Sequence, residues 1–365
     1  MVILVKILLA ILTVGILAIS IPAQAEWRET WDQPADSMII RHNQATDTQQ
    51  IYAIKSDTKD IYKYKGSPSQ WERIGDPAYM FTSTGASLAK LIYLPPAESE
   101  IWVYSGQGEL WNKIGHGSWD AIYGAWGKVY ARDRFGDSLW ENYDVDAWRK
   151  IGDGTSNARD FPMEYAAASD EAGNVMLYSI DLVGNVYYIY KYRGSGTNWD
   201  DIGFPSSKKP IEMAAGGKWI WVLDSENNLW ECNTESQTPS WVEVHHFTSK
   251  PQLAVDIVNT GAGKPHVWFL TKDPNTATYI LKYDGKNWTE YTDLPTGSSG
   301  GTLVIKSIYA GGGNLFGISY LEQKIYRYYP PTEEVEVTET DGHRGSLIPV
   351  PPEPPQRILP PTPNR

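Results

Sequence analysis

Large apolar and aromatic residues along this chain alternate with polar ones in short runs, break at a Gly-containing turn, and resume with Trp-x-x-Ile-Gly. Residues 61–75 (IYKYKGSPSQWERIG) set the pattern, and residues 101–115 (IWVYSGQGELWNKIG) and 189–203 (IYKYRGSGTNWDDIG) repeat it at the same length. Residues 138–152 (SLWENYDVDAWRKIG) form a more diverged copy. Alternation with period two on both sides of a short polar turn predicts a β-hairpin at each place.

Indexed by the Trp of the return strand, the hairpins fall at Trp27, Trp71, Trp111, Trp148, Trp199, Trp241 and Trp288, with spacings of 37 to 51 residues. Repeats of about 40 to 50 residues suit a four-stranded propeller blade. Between hairpins lie a strand of small residues (Ala214-Ala-Gly-Gly, Ala121-Ile-Tyr-Gly) and an apolar strand (Trp219-Ile-Trp-Val-Leu, Val267-Trp-Phe-Leu). The small strand belongs innermost, because only Gly and Ala let several backbones crowd one axis. The last repeat lacks a return Trp strand, and the orphan strand at residues 26–31 can supply it and remove an exposed edge. The expected fold is all-β, a seven-bladed β-propeller of four-stranded blades closed by the N-terminal strand. Six or eight blades are the competing counts, and residues 334–339 are the competing closing strand.

The two ends read differently from the ring. Residues 1–25 carry Lys6, an apolar run at 7–19 and the small-x-small site Ala23-Gln24-Ala25, the pattern of a signal peptide, with an uncleaved anchor as the alternative. No later stretch is apolar and long enough to span a bilayer, so the expectation is a secreted, extracellular protein with no membrane span in its mature form. Residues 330–365 are crowded with proline and poor in apolar residues, a disordered tail or a ligand for a proline-recognising module.

Composition narrows the partners. Aromatic residues make up 13% of the chain and the formal net charge is −12, which suits a soluble β-protein and argues against nucleic acid or an anionic membrane. The single cysteine, Cys232, rules out an internal disulfide and, within the strand-like Leu229-Trp-Glu-Cys, reads as a buried inert thiol.

Residues 64–78 and 192–203 resemble the repeats of tectonin and tachylectin-type β-propellers, and the resemblance covers residues 26–329. It implies a secreted or surface protein of a group many of whose members bind sugars. The fifth and sixth repeats depart from the pattern (Trp241-Val-Glu-Val, Trp288-Thr-Glu-Tyr), which on this resemblance implies lost sites there.

A sugar site needs an aromatic face for the C–H side of the ring and polar groups for its hydroxyls. The repeat tryptophans are expected to pack between blades, so the candidates are aromatics outside the frame. Trp119, on the loop after the third Trp strand, lies beside His116 and Asp120 and near Arg132, Asp133 and Arg134; Trp126 sits in a Gly-Ala-Trp-Gly turn. A second series, Asp57, Asp133, Asp181, Asp224 and Asp273, follows the apolar strands. These carboxylates read as turn formers, with a Ca²⁺ ring as the alternative; no other cofactor is implied. The six His residues show no metal-ligand spacing, and no Gly-x-Ser-x-Gly elbow, phosphate loop or Cys/His pattern occurs. Asn287-Trp288-Thr289 is an N-glycosylation sequon. Three functions follow: a carbohydrate-binding propeller whose partner is a glycan or cell-surface glycoprotein, a propeller binding a protein partner, and a metal-dependent propeller hydrolase or lactonase. One large exposed apolar patch would favour the second.

Overall fold

The computed structural model describes residues 26–43, 48–83, 88–94, 98–125, 127–135, 138–152, 165–169, 175–183, 185–236, 238–256, 264–271, 279–291, 294, 303–311 and 313–329. The expected signal peptide, the proline-rich tail, residues 334–339, Trp126 and Asp273 lie outside them.

The described strands form seven four-stranded antiparallel sheets, the blades of a β-propeller. In chain order, blades 1 to 6 occupy residues 35–75, 80–117, 119–152, 165–201, 210–246 and 252–291. Blade 7 combines residues 305–329 with the N-terminal strand Glu26–Trp31, which pairs with Ile325–Tyr329 through Trp27↔Tyr328 and Arg28↔Arg327. The N-terminal strand thus closes the ring and becomes the outer strand of the last blade. The first strand of each blade is the inner one, and each inner strand touches the inner strands of both neighbouring blades, which closes the circle. Ala214, Ala215 and Gly216 in Pro210–Gly216, and Ala310 and Gly311 in Ile305–Gly311, fill this crowded zone as expected. A Cβ on Gly311 would lie 2.7 Å from Ile40 of blade 1, so a larger residue there would push two inner strands apart.

The core is seven wedges, one at each junction between blades. Second strands are sandwiched between blades, so their residues are buried on both faces, as in Trp219–Asp224, His266–Thr271 and Asn314–Ser319. Six of these strands centre on one fully buried aromatic ring: Tyr52, Tyr130, Tyr178, Trp221, Phe269 and Phe316. Each ring fills the space that opens as blades diverge from the axis, a volume small residues could not fill. Cys232 is 1% exposed within the wedge between blades 4 and 5, the inert position expected of it.

Candidate functional site

The repeat tryptophans join blades. Trp71, Trp111, Trp148, Trp199 and Trp241 each donate the indole N–H to a carbonyl in, or just after, the preceding blade's outer strand: Thr30 (2.9 Å), Ile74 (2.6 Å), Ile114 (3.2 Å), Ile151 (2.7 Å) and Ile202 (2.9 Å). The following glycine makes room for the ring. A Cβ on Gly75 would lie 2.7 Å from Trp111 Nε1, and one on Gly115 2.5 Å from Trp148 Nε1. Trp-x-x-Ile-Gly is therefore a reciprocal motif, in which Trp reaches back and Ile-Gly receives the next Trp. The departures obey the same geometry. Trp31 stands in the glycine place of the first strand and stacks on Trp71 at 4.8 Å. His245 stands there in blade 5, 4.5 Å from the Trp288 ring.

The residues singled out in the sequence come together only in part. Trp119 is not on a loop; it opens the inner strand Trp119–Ala125, is 7% exposed, and packs on Trp148 and Trp140 at 5.2 and 6.1 Å. It is core, because the outer strand of blade 2 runs on through His116 to Gly117 and carries the chain into the wedge. Asp120 and Arg132 do meet, in a two-pronged ion pair with both bonds at 2.8 Å. Asp133 accepts the Phe135 N–H at 2.8 Å and forms the turn. Arg134 ties the same turn to blade 3's entry through its backbone N–H to Ser118.

Asp57, Asp133 and Asp224 serve turns, whereas Asp181 lies within the strand Val175–Val183. Asp57 accepts from Thr58 N–H and Asp181 from Leu182 N–H, and Asp224 accepts from the backbones of Glu226 and Asn228 and from Ser206 and Trp230 side chains. Among the described residues no three His, Cys, Asp or Glu side chains gather as a metal site. Asn287 is exposed in a turn held by Asp284, whose carboxylate accepts its N–H at 2.6 Å.

A pocket of about 360 Å³ opens at the mouth of the central channel, at the end where inner strands begin. Its wall comes from four blades: Asp36 of blade 1, Glu212 of blade 5, Gln252 and Leu270 of blade 6 with Lys250 just before them, and Lys306, Ser307 and Tyr309 of blade 7. Register shifts at Ala35/Ser37, Pro210/Glu212 and Ile305/Ser307 are β-bulges, and the extra residues are Asp36, Ile211 and Lys306. The same irregularity at Trp119/Ala121 makes Asp120 the extra residue in blade 3. Bulges re-aim side chains at the ends of strands, and here they bring charge to the channel mouth. Glu212 Oε1 accepts the Leu253 N–H at 3.0 Å while Oε2 lies 3.7 Å from Lys250 Nζ. Burial raises the Glu212 carboxyl above its ordinary value, the Leu253 N–H and Lys250 offsetting only part of the effect. Burial likewise raises the Tyr309 hydroxyl.

Sequence reasoning missed Glu212, Lys250 and Gln252. Its frame was the outer Trp strand, and nothing in that frame aligns the starts of the inner strands. The same face carries most of the strongly exposed large apolar side chains. Tyr79 and Val304 precede inner strands, Phe135, Tyr320 and Leu321 lie on turns between second and third strands, and Val183 and Val186 flank such a turn, with Phe135 74% and Leu321 83% exposed.

No family model and no curated protein matches the chain. Solved structures do match, and what they share with it is the fold. YCF48 bound to D1 peptide is 13% identical with a TM-score of 0.51, over 87% of this chain and 99% of that one. The Swd1 β-propeller domain from Myceliophteria thermophila is 11% identical with a TM-score of 0.52, over 84% and 99%. The GH74 enzyme of Niastella koreensis is 12% identical with a TM-score of 0.56, over 80% of this chain and 52% of its own. The chain is a seven-bladed β-propeller whose fold is shared by proteins of different activity. Among the described residues no helix is long and apolar enough to cross a membrane.

Proposed function

We propose that this chain is a secreted, non-catalytic β-propeller that binds a protein partner across the face where its inner strands begin. One observation carries the reading: that face carries most of the strongly exposed large apolar side chains, among them Tyr79, Phe135, Tyr320 and Leu321 on blades 2, 3 and 7. Exposed apolar surface rimmed by polar groups is the ordinary mark of a protein-binding region. The YCF48 structure holds a D1 peptide, so a propeller of this size can take such a ligand. Glycan binding of the tectonin type is less well supported. Five repeat tryptophans have their indole N–H engaged between blades and Trp119 is buried, which leaves less of these rings for a sugar. The secreted location rests on residues 1–25.

The test is a parallel screen of the purified protein against displayed peptides and a glycan array. Selected peptides should bind wild type and lose at least about tenfold, roughly 1.4 kcal/mol, to Phe135→Asp or Leu321→Asp. Glycan binding without peptide binding, or peptides indifferent to both substitutions, would overturn the proposal.

A further inference from the structure

The inner strands on one side of the ring are stapled by side chains that reach to the next blade. Glu212 Oε1 of blade 5 accepts the N–H of Leu253 in blade 6 at 3.0 Å. Gln252 Oε1 of blade 6 accepts the N–H of Ile308 in blade 7 at 3.1 Å. The two residues do the same structural task, and Gln252 does it without a charge. A staple needs one carbonyl-like oxygen, so the negative charge of Glu212 is surplus to it.

That charge is held against a cost. The Glu212 side chain is 22% exposed, and withdrawal from water favours the neutral acid. Lys250, its nearest cation, stays 3.7 Å away and is 55% exposed, a distance at which two flexible groups gain little. The other charges of the pocket are Asp36, Lys306 and, through a 3.0 Å ion pair with Asp36, Lys59. Asp36 is 45% exposed and already paired; Lys250 and Lys306 ride on long stems and are exposed, free to swing into water. Glu212 alone among these charges is fixed, since its other oxygen is held by a backbone N–H. Glu212 is therefore the one charge of the pocket whose position the fold fixes, and the lysines around it can withdraw into water.

We infer that the channel-mouth pocket receives one cationic side chain, an arginine or lysine of the partner protein, with its nitrogen at Glu212 and its aliphatic stem along Leu270, Pro251 and the Tyr309 ring. This rests on the protein-partner reading above and adds the chemistry of one contact. A guanidinium or ammonium completes the coordination of a carboxylate that the fold leaves half satisfied, and it displaces Lys250 toward solvent. A long side chain of this kind buries its stem against apolar walls while its head meets the charge.

The test uses the full chain and capped tripeptides, acetyl-Gly-Arg-Gly-amide against its neutral isostere acetyl-Gly-citrulline-Gly-amide and the acidic acetyl-Gly-Asp-Gly-amide, titrated at low salt and followed by NMR. The arginine peptide should bind wild type at least tenfold more tightly than the other two. Glu212→Gln keeps the oxygen that Leu253 requires, so it should leave the thermal midpoint unchanged and remove the arginine preference. Glu212→Ala should lower the midpoint as well. Absence of saturable arginine binding, equal binding of the citrulline peptide, preference for the acidic peptide, or an arginine preference that survives Glu212→Gln would each overturn the inference. If screened peptides depend on Phe135 and Leu321 but not on Glu212, this contact fails while the partner reading stands; if they depend on none of the three, the partner reading fails too.

Discussion

Trp111 gives its indole N–H to the carbonyl of Ile74 at 2.6 Å, and its ring occupies the space that a Cβ on the next residue, Gly75, would need. One contact thus explains three positions of the repeat; its hydrogen bond recurs at five junctions, and its close approach to glycine recurs at Gly115. It also explains why the tryptophans that dominate the sequence are poor candidates for binding sugar. Their polar edge and one ring face are already engaged.

The glycine position can be tested by adding a single methyl group. Gly75→Ala and Gly115→Ala put a Cβ 2.7 and 2.5 Å from indole rings anchored by hydrogen bonds, so both should destabilise the protein by about 1–3 kcal/mol. Gly152→Ala is the control. Its nearest neighbours, Leu139 and Trp199, would lie 3.5 and 3.6 Å away in ordinary contact. Thermal denaturation should rank the two damaging changes well below Gly152→Ala; equal loss at all three positions would contradict the reciprocal motif.

Trp27 breaks the series. Its Nε1 is buried without an acceptor, although its ring packs on Tyr328 at 5.2 Å. Replacing Trp111 by Phe strands the Ile74 carbonyl and removes a bond, a loss of about 1–3 kcal/mol beyond the change in ring size. Trp27→Phe loses no bond and removes an unsatisfied donor. Urea midpoints should therefore fall less for Trp27→Phe than for Trp111→Phe, and the reverse order would show that the closing strand depends on this indole N–H.

His245 gives the junction of blades 5 and 6 a dependence on pH. Packed 4.5 Å from both Phe247 and Trp288, it is held below the ordinary histidine value by burial, with His246 adding a smaller push in the same direction. A depressed value in the fold means that the unfolded chain binds the proton more readily. Stability is complete above about pH 6.5, the unfolded value, and declines as pH falls from there toward the folded value. His266, also depressed by burial, adds to the slope with the same sign. His245→Phe keeps the stack and should flatten part of the fall in melting temperature between pH 7 and 5; an unchanged profile would remove His245 from the account.

Cys232 should behave as a sealed thiol. Burial pushes it up to about 11, so almost no thiolate exists at neutral pH, and the side chain is 1% exposed. Native protein should resist alkylation at pH 8 for hours and react at once in denaturant. Fast native labelling would place this thiol at the surface rather than in the wedge between blades 4 and 5.

Much of this was legible along the chain. Hairpins, repeat spacing and the orphan strand 26–31 gave seven blades and their closure, because strand pairing within a blade is local and leaves a period-two record in the sequence. The burial of Cys232 and the packing role of the repeat tryptophans followed from the same record. Trp119 did not, because whether a residue after a strand turns out to solvent or into the next wedge depends on where that strand stops, and blade 2 carries its outer strand to Gly117. The pocket was beyond reach for a stronger reason. Asp36, Glu212, Gln252 and Lys306 lie far apart in the chain and meet only because the ring closes, and bulges at Asp36, Ile211 and Lys306 shift the side-chain alternation by one residue. Period and composition determined which strands this protein would make; closure of the ring and three extra residues decided which side chains would share its mouth.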